Sequence, residues 1–393
     1  MDTPRYWGGD IPWVSSGEMK RRRLSSTSQT VTEQGAREGS KLVPERTVLA
    51  VVRGMSLAKE FRVAITQRPV TFNQDLKALI PSERLLPEFL FYYLLSQNGP
   101  IRDSASESGH GTKKLDTRVL EDWPLPLPPL PIQRKIAAIL SAYDELIETH
   151  QRRIALLEKL AEEIYREWFV RLRFPGHEKV AIAKRIPSGW ERVKVSSVTS
   201  FLKRGVAPIY DDEGASLAIN QKCIRDGKLD MKHARSQSKE VPAERRIKLG
   251  DVLVNSTGEG TLGRVAQVLI QLDNCIVDSH VTIVRPKPDV PIHYFGMTLK
   301  AWEPHFSIMG QGSTNQTELA PALIGGVEIM MPTKDLQVAF EAQAEPLFAQ
   351  ITVLRTQTEH LTRTRDLLLP RLISGKLSVA ELEIRFPPGM AEE

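Results

Sequence analysis

An apolar heptad written twice, 204 residues apart, constrains this chain more than any other feature. Ile136, Tyr143, His150, Leu157 and Ile164 recur every seven residues, and adding 204 to each number gives Phe340, Leu347, Leu354, Leu361 and Leu368. A seven-residue apolar repeat marks a helix that packs along one seam against another. Three or four residues on, a companion row reads Ile139 or Leu140, Leu146 or Ile147, Ile154, Leu160 and Trp168. In the second copy that row is thinner, with Ala344, Ile351, Thr358 and Leu372. The second helix therefore needs a partner, and the economical one is the first, lying antiparallel to it in the same chain. From Ile136 to Trp168 such a helix is about 50 Å long at ~1.5 Å per residue. The alternative, a surface helix of an ordinary domain, leaves the shared phase unexplained, and such helices run about 8–20 residues.

Prolines punctuate both helices. The run WPLPLPPLP reads as a rigid strap into the first, with Pro131 in the opening turn where a missing N–H is tolerated; a polyproline II ligand is the other reading. Pro346, where the first helix has Ala142, is expected to kink or restart the second, because proline lacks the donor and clashes with the preceding turn. Pro370 is expected to end it about one turn before LISGKL, a helix stop followed by a short strand or tail.

The repeat extends beyond the helices. Val48-Leu49, Gly54, Gln74, Pro87 and Phe91 match Val252-Leu253, Gly258, Asp278, Pro291 and Phe295 at the same offset. Runs such as RTVLAVVRG and FRVAITQRPV, then DVLVN, RVAQVLI and HVTIVRP, are rich in β-branched residues and broken by Gly, Asn and Asp, as short strands are. PEFLFYYLLSQ and PIHYFGMTLKAW read as helices. The expected order is a first module over 1–128, a central helix over 129–174, a second module over 175–335, a C-terminal helix over 336–373 and a tail over 374–393. The fold class is α+β: two strand-rich domains separated by two long antiparallel helices that form an intramolecular coiled coil, a pseudo-two-fold repeat. Trp190, in IPSGWERVKV at the opening of the second module, has no match, since 190 minus 204 falls before Met1. The first module is thus expected to lack the counterpart of 186–204.

Composition narrows the function. With 393 residues, 41% of them hydrophobic, the chain can build two or three cores. No stretch approaches the ~18 consecutive apolar residues of a membrane span, and the first thirty residues, with their basic run Lys20 to Arg23, lack an apolar signal core. A cytoplasmic protein is expected. Cys223 and Cys275 are the two cysteines, and neither they nor the eight histidines show metal-site spacing, so no metal is expected. The net charge of +5 suits a polyanionic partner without deciding for one. GEGTLG at 258–263 spells GxGxxG after a strand, but the RVAQVLI that follows is β-like, and the matching RGMSLAKEF keeps only the first glycine. A tight turn is preferred to a dinucleotide site. Walker loop, zinc signature, nucleophile elbow and NPPF- or DPPY-type tetrapeptide are all missing, so no catalytic residue is assigned.

Polar loop tips recur at matching places: PWVSSGEMKRRR, VVRGMS, FNQD and SGHGTKK in the first module, INQK, NSTGEG, VDSH and MGQGSTNQ in the second. Glycine allows close backbone approach, Asn, Gln, Ser and His can read base edges, and Lys and Arg bind phosphates. Each loop is weak alone, because most polar loops face water and a basic run such as Lys20 to Arg23 is more often a solvated face. Recurrence in both modules favours nucleic acid.

The segments YWGGDIPWVSSGEMK, FNQDLKALIP, LLPEFLFYYL, LPLPPLPIQRKIAAIL, IYREWFVRLRF, IPSGWERVKV and TRDLLLPRLISGKL resemble those of the specificity subunits of type I restriction-modification enzymes over nearly the whole chain. The resemblance implies two target-recognition domains, each binding one part of a split double-stranded DNA site, joined by helices whose length sets the gap. It implies a non-catalytic subunit that docks methyltransferase (modification) subunits and translocating restriction subunits. S-adenosylmethionine would then reside in the methyltransferase, and this chain would bind no cofactor. The family's DNA-facing loops carry over to Trp13, Ser15, Ser16, Lys20, Arg53, Gln74, His110, Lys113 and Lys114 in the first module. In the second they carry over to Asn220, Gln221, Lys222, Ser256, Thr257, Asp278, His280, Gln311, Ser313, Asn315 and Gln316. The late start departs from the family, whose first domain normally opens with a segment like IPSGWERVKV. The alternative is a duplicated scaffold whose loops bind protein; a fused single-chain methyltransferase is opposed by the missing tetrapeptides.

Overall fold

The computed structural model describes residues 3–109, 111–311 and 317–386. They form two compact units, Met1–Thr149 with Thr358–Glu393, and His150–Gln357. Among the described residues no helix is long and apolar enough to cross a membrane.

The first unit contains strands β1 (Trp7–Val14), β2 (Arg23–Leu24), β3 (Thr30–Val31), β4 (Lys41–Val43), β5 (Val48–Val51), β6 (Val63–Thr66), β7 (Val70–Phe72) and β8 (Leu76–Leu79). Helix α1 (Pro87–Ser96) and the first part of α2 (Leu130–Tyr165) complete it with the end of the C-terminal helix. Its strands make two sheets, ordered β3-β1-β7-β4 and β2-β6-β5-β8. β5 reads VLAV and is buried throughout, the continuous apolar run of a strand covered on both faces. Val48 and Ala50 face the cluster of Phe89, Phe91, Tyr92, Ile136, Leu140 and Leu372, while Leu49 and Val51 join Val14, Val43, Val70 and Leu76. The period-two alternation of a strand thus feeds two cores at once.

The second unit repeats this plan. Its strands β9 (Thr199–Arg204), β10 (Ser216–Ile219), β11 (Arg235–Gln237), β12 (Val252–Asn255), β13 (Val265–Gln267), β14 (Cys275–Val277) and β15 (Val281–Pro286) lie with α3 (Ile292–Ala301) and most of α4 (Lys334–Ile373). The sheet orders are β9-β15-β12-β13 and β11-β10-β14. β12 lies antiparallel between β13 and β15 as β5 lies between β6 and β8. The parallel pair β10/β14 matches β1/β7, with Ile219 opposite Val277 and Val14 opposite Phe72. Those registers put the offset at 205 there rather than 204. The counterpart of Asp278 is therefore Asn73, not Gln74: each side-chain Oδ1 accepts the N–H two residues on, at 3.2 Å from Asp75 and 3.0 Å from His280.

The two units differ at one sheet edge. In the second unit β9 covers the outer edge of β15; among the described residues no strand covers the same edge of β8. Thr282, Ile283 and Val284 are buried, whereas their counterparts Lys77, Ala78 and Leu79 are exposed or half-buried. The amides of β8 are expected to exchange with solvent deuterium faster than those of β15, because an edge strand opens without disturbing a neighbour. Equal protection of the two strands would contradict a free edge.

The long helices pack antiparallel within each unit. In the first, Ile136 and Leu140 meet Leu369, Leu372 and Ile373. In the second, Ile154 meets Ile351 and Leu354, and Tyr165 meets Phe340. The seam sits partly one row over from the heptad read in the sequence. Ile136, His150, Phe340 and Leu354 are buried, but Tyr143, Leu157, Ile164, Leu347, Leu361 and Leu368 are half-buried; Leu140, Ile147, Ile154, Ala161, Ala344 and Ile351 fill the centre. Leu160 is 48% exposed and Ala161 takes its place, since a straight helix of 3.6 residues per turn drifts from a strict seven-residue register. Past Tyr165 the chain makes a π-helical turn over Arg166–Val170, so the central helix stops short of 174.

The expectations at the prolines are corrected. α4 runs unbroken for 40 residues through both Pro346 and Pro370, because the seam residues on either side of Pro346, Ala344 and Ile351, are fully packed. The helix instead stops near Gly375, whose φ of 73° is a left-handed conformation that glycine reaches without strain. No strand follows in the described tail; Val379 is buried there and Lys135 donates to the Ala380 carbonyl at 2.6 Å. Pro346 itself is exposed, so Pro346→Ala is expected to restore a backbone bond and stabilise the second unit by about 1–3 kcal/mol, less the unfolded-state entropy that proline removes. Denaturant titration followed by helical circular dichroism checks this; no gain would mean the bond is already replaced.

Candidate nucleic-acid interface

In the first unit, main-chain hydrogen bonds bring the candidate loops together. The Asn73 N–H donates to the Val14 carbonyl at 3.0 Å, those of Val52 and Arg53 to the Asp75 carbonyl at 2.8 and 3.3 Å, and that of Leu115 to the Val52 carbonyl at 2.8 Å. Lys113-Lys114 pairs with Arg53-Gly54. Ser15, Ser16, Gln74, Arg53, Lys113 and Lys114 therefore share one rim. Arg53, Gln74 and Lys114 are exposed; Ser15, Ser16 and Lys113 are half-buried.

Two candidates stand apart. Trp13 belongs to β1 itself, paired with Thr71 and edge-on to Trp7 with centroids 5.1 Å apart, so its indole packs the end of the strand. Lys20 lines a separate cleft of about 150 Å³ with Arg22, Glu60 and Arg62. The basic run that contains it is partly structural: Arg23 pairs with Glu145 at 3.0 Å and Arg22 lies 3.7 Å from Asp144. His110 lies outside the described residues.

The second unit builds its rim with the same bonds. The Asp278 N–H donates to the Ile219 carbonyl at 2.8 Å, that of Ser256 to His280 at 2.9 Å, and that of Leu319 to Ser256 at 2.8 Å. Side chains then lock the loops. Gln221 Nε2 donates to the Thr257 carbonyl at 2.9 Å and to its Oγ1 at 2.6 Å, and that Oγ1 lies 2.8 Å from His280 Nδ1. Asn220 Oδ1 accepts the Lys222 N–H at 2.9 Å, and its Nδ2 donates to the His233 carbonyl at 2.8 Å. Asn220, Gln221, Lys222, Thr257 and His280 are thus gathered, with Lys222 and His280 exposed.

Ser256 and Asp278 are corrected from surface readers to scaffold. Ser256 is fully buried, and its hydroxyl lies 2.5 Å from Thr282 Oγ1. Asp278 is 7% exposed; one carboxylate oxygen accepts the His280 N–H and the other the Tyr210 hydroxyl at 3.2 Å. A carboxylate would repel phosphate, and here it fixes the turn that presents His280. Gln311 is exposed and paired with Glu318, while Ser313, Asn315 and Gln316 lie outside the described residues.

Three residues were not singled out from sequence. Asn255 is buried and its Nδ2 donates to the carbonyls of Gln221 and Thr261 at 3.2 and 3.1 Å, tying two loops together; the polar residue ending the apolar run VLV was the only signal. Tyr210, which donates to Asp278, and Arg235, which lies over the Tyr210 ring, come from segments with no motif, and the pairing of Tyr210 with Gln237 joins those segments. The glycines of GEGTLG form a turn, with Gly258 at φ 105° and Gly263 at φ 78°, where a side chain would strike the backbone of Phe306 and Ser307. Strand β13, not a helix, follows it.

Comparison with known proteins agrees with this layout. The family model of the type I restriction modification DNA specificity domain matches residues 2–159. The specificity subunit of the type I restriction enzyme MjaIX of Methanocaldococcus jannaschii is 26% identical, over 96% of this chain and 89% of its own. That of EcoR124I/EcoR124II of Escherichia coli is 32% identical over 45% of this chain and 44% of its own. The solved S subunit of a type I restriction-modification system from M. genitalium has the same fold, with a TM-score of 0.61 at 16% identity, covering 95% of this chain and 91% of that one. With its duplicated module and its paired long helices, this chain is similar along most of its length to type I restriction-modification specificity subunits, and its residues 2–159 match their DNA specificity domain.

Proposed function

We propose that this chain reads a bipartite double-stranded DNA site, one part through each unit, and directs methyltransferase and restriction/translocase subunits to it in the cytoplasm. The observation that carries the reading is the rim made twice by the same hydrogen bonds, each time presenting polar side chains beside exposed cations. Arg53, Lys113 and Lys114 in one unit and Lys222 in the other supply phosphate contacts, which position the protein; Gln74, Gln221 and His280 are of the types that read base edges. The long helices act as the spacer between the two readers. S-adenosylmethionine is bound by the methyltransferase partner and not by this chain.

Selection of bound duplexes from a random-sequence library tests the reading. A split consensus with fixed spacing is expected, and a duplicated protein-binding scaffold would enrich none. The combined variant Arg53→Ala, Lys114→Ala and Lys222→Ala is expected to weaken binding to all sequences alike. Its slope of log affinity against log salt should flatten by about 2–3, at ~0.9 for each phosphate that is no longer neutralised. An unchanged slope would remove these cations from the interface.

A further inference from the structure

The guanidinium of Arg235 lies 3.7 Å from the centroid of the Tyr210 ring. Both residues are placed by the backbone. Arg235 is held in β11 opposite Ala218 of β10, and the Tyr210 segment pairs with the end of β11 through Asp211 N–H to Ser236 carbonyl at 3.2 Å and Ser238 N–H to Ile209 carbonyl at 2.9 Å. The Tyr210 hydroxyl is anchored on Asp278, whose other oxygen fixes His280. Arg235, Tyr210, Asp278, His280, Thr257 and Gln221 thus form one continuous run of neighbours on the rim of the second unit. Arg235 is exposed and has no carboxylate partner among the described residues.

We propose that Arg235 is a specificity-determining residue that reads a guanine in the part of the DNA site bound by the second unit. The inference rests on the DNA-reading role given above. A phosphate needs only a positive charge, which a mobile lysine supplies. A guanidinium stacked on an aromatic ring is fixed in orientation, with its N–H fork directed along the plane, and that fork matches the O6 and N7 acceptors of guanine in the major groove. Its run of neighbours leads through Asp278 to His280, Thr257 and Gln221, polar groups of the kinds that suit base edges, so the fixed fork is seated beside candidate readers.

The test compares the full chain with Arg235→Ala and Arg235→Lys in selection from the random duplex library, with melting temperature recorded for each. The wild type is expected to enrich a split consensus with a guanine in one part. Both variants should melt like the wild type and lose about ten- to a hundred-fold of discrimination at that one position, with the other positions kept. The lysine variant fails to rescue because it keeps the charge and loses the fork. An unchanged consensus in both variants overturns the proposal. So does a uniform loss across all positions that lysine restores, which would mark a phosphate contact. A wild type that enriches no sequence would instead overturn the DNA-reading role itself.

Discussion

Replacing Asp144 with alanine is expected to destabilise the first unit by about 3–5 kcal/mol, the usual consequence of stripping one partner from a buried ion pair. Asp144 is 3% exposed in the middle of the helix seam. Its Oδ1 lies 2.6 Å from Arg365 of the C-terminal helix and 3.7 Å from Arg22, and its Oδ2 accepts the Tyr92 hydroxyl at 2.8 Å. Burial, reinforced by this carboxylate, pushes the Tyr92 hydroxyl well above its usual value, so it stays a donor. Removing Asp144 leaves the Arg365 guanidinium, itself only 6% exposed, without its buried anion. The midpoint of the first unit's thermal unfolding should fall by about 6–20 °C at ~2–4 °C per kcal/mol. The double change Asp144→Leu with Arg365→Met should recover most of the loss, since an apolar pair carries no desolvation cost. A loss under about 1 kcal/mol for Asp144→Ala would mean that water already solvates the pair.

Deleting seven residues from the middle of each long helix together is expected to change the spacing of the DNA site without changing its two parts. One heptad shortens a helix by about 10.5 Å at ~1.5 Å per residue, which is about three base pairs at ~3.4 Å each. The library consensus should then keep both recognised sequences and lose about three base pairs of the gap between them. The seven-residue step preserves the seam phase, so Ile154 and its neighbours keep apolar partners; a four-residue deletion would rotate the seam and is expected to unfold the pair. An unchanged gap in a folded double deletion would refute the spacer role.

Much of this was legible in the sequence. The duplicated heptad marked the two long helices, and the β-branched runs marked the central strands β5 and β12, because both patterns come from the local period of side-chain placement. Less was legible where packing chose between near-equivalents. Whether Leu160 or Ala161 enters the seam depends on the helix it meets, and Pro346 is carried inside α4 by neighbours that no local rule takes into account. Ser256 reads as a polar loop residue in NSTGEG, yet the pairing of β12 with β15 buries it against Thr282. Asn73 replaced Gln74 as the match of Asp278 because a one-residue difference in loop length is invisible until strand register is known.

By itself, then, the amino-acid sequence determined the doubling of the module, the two helices and the loops that form the candidate rims, since each is written in periodicity and repetition along the chain. Tertiary structure alone decided which loop residues face outward, where the Asp144–Arg365 pair lies in the seam, and that Arg235 rests on Tyr210. Those depend on segments up to 221 positions apart in the chain, and only long-range strand pairing and helix packing bring such groups within hydrogen-bonding distance.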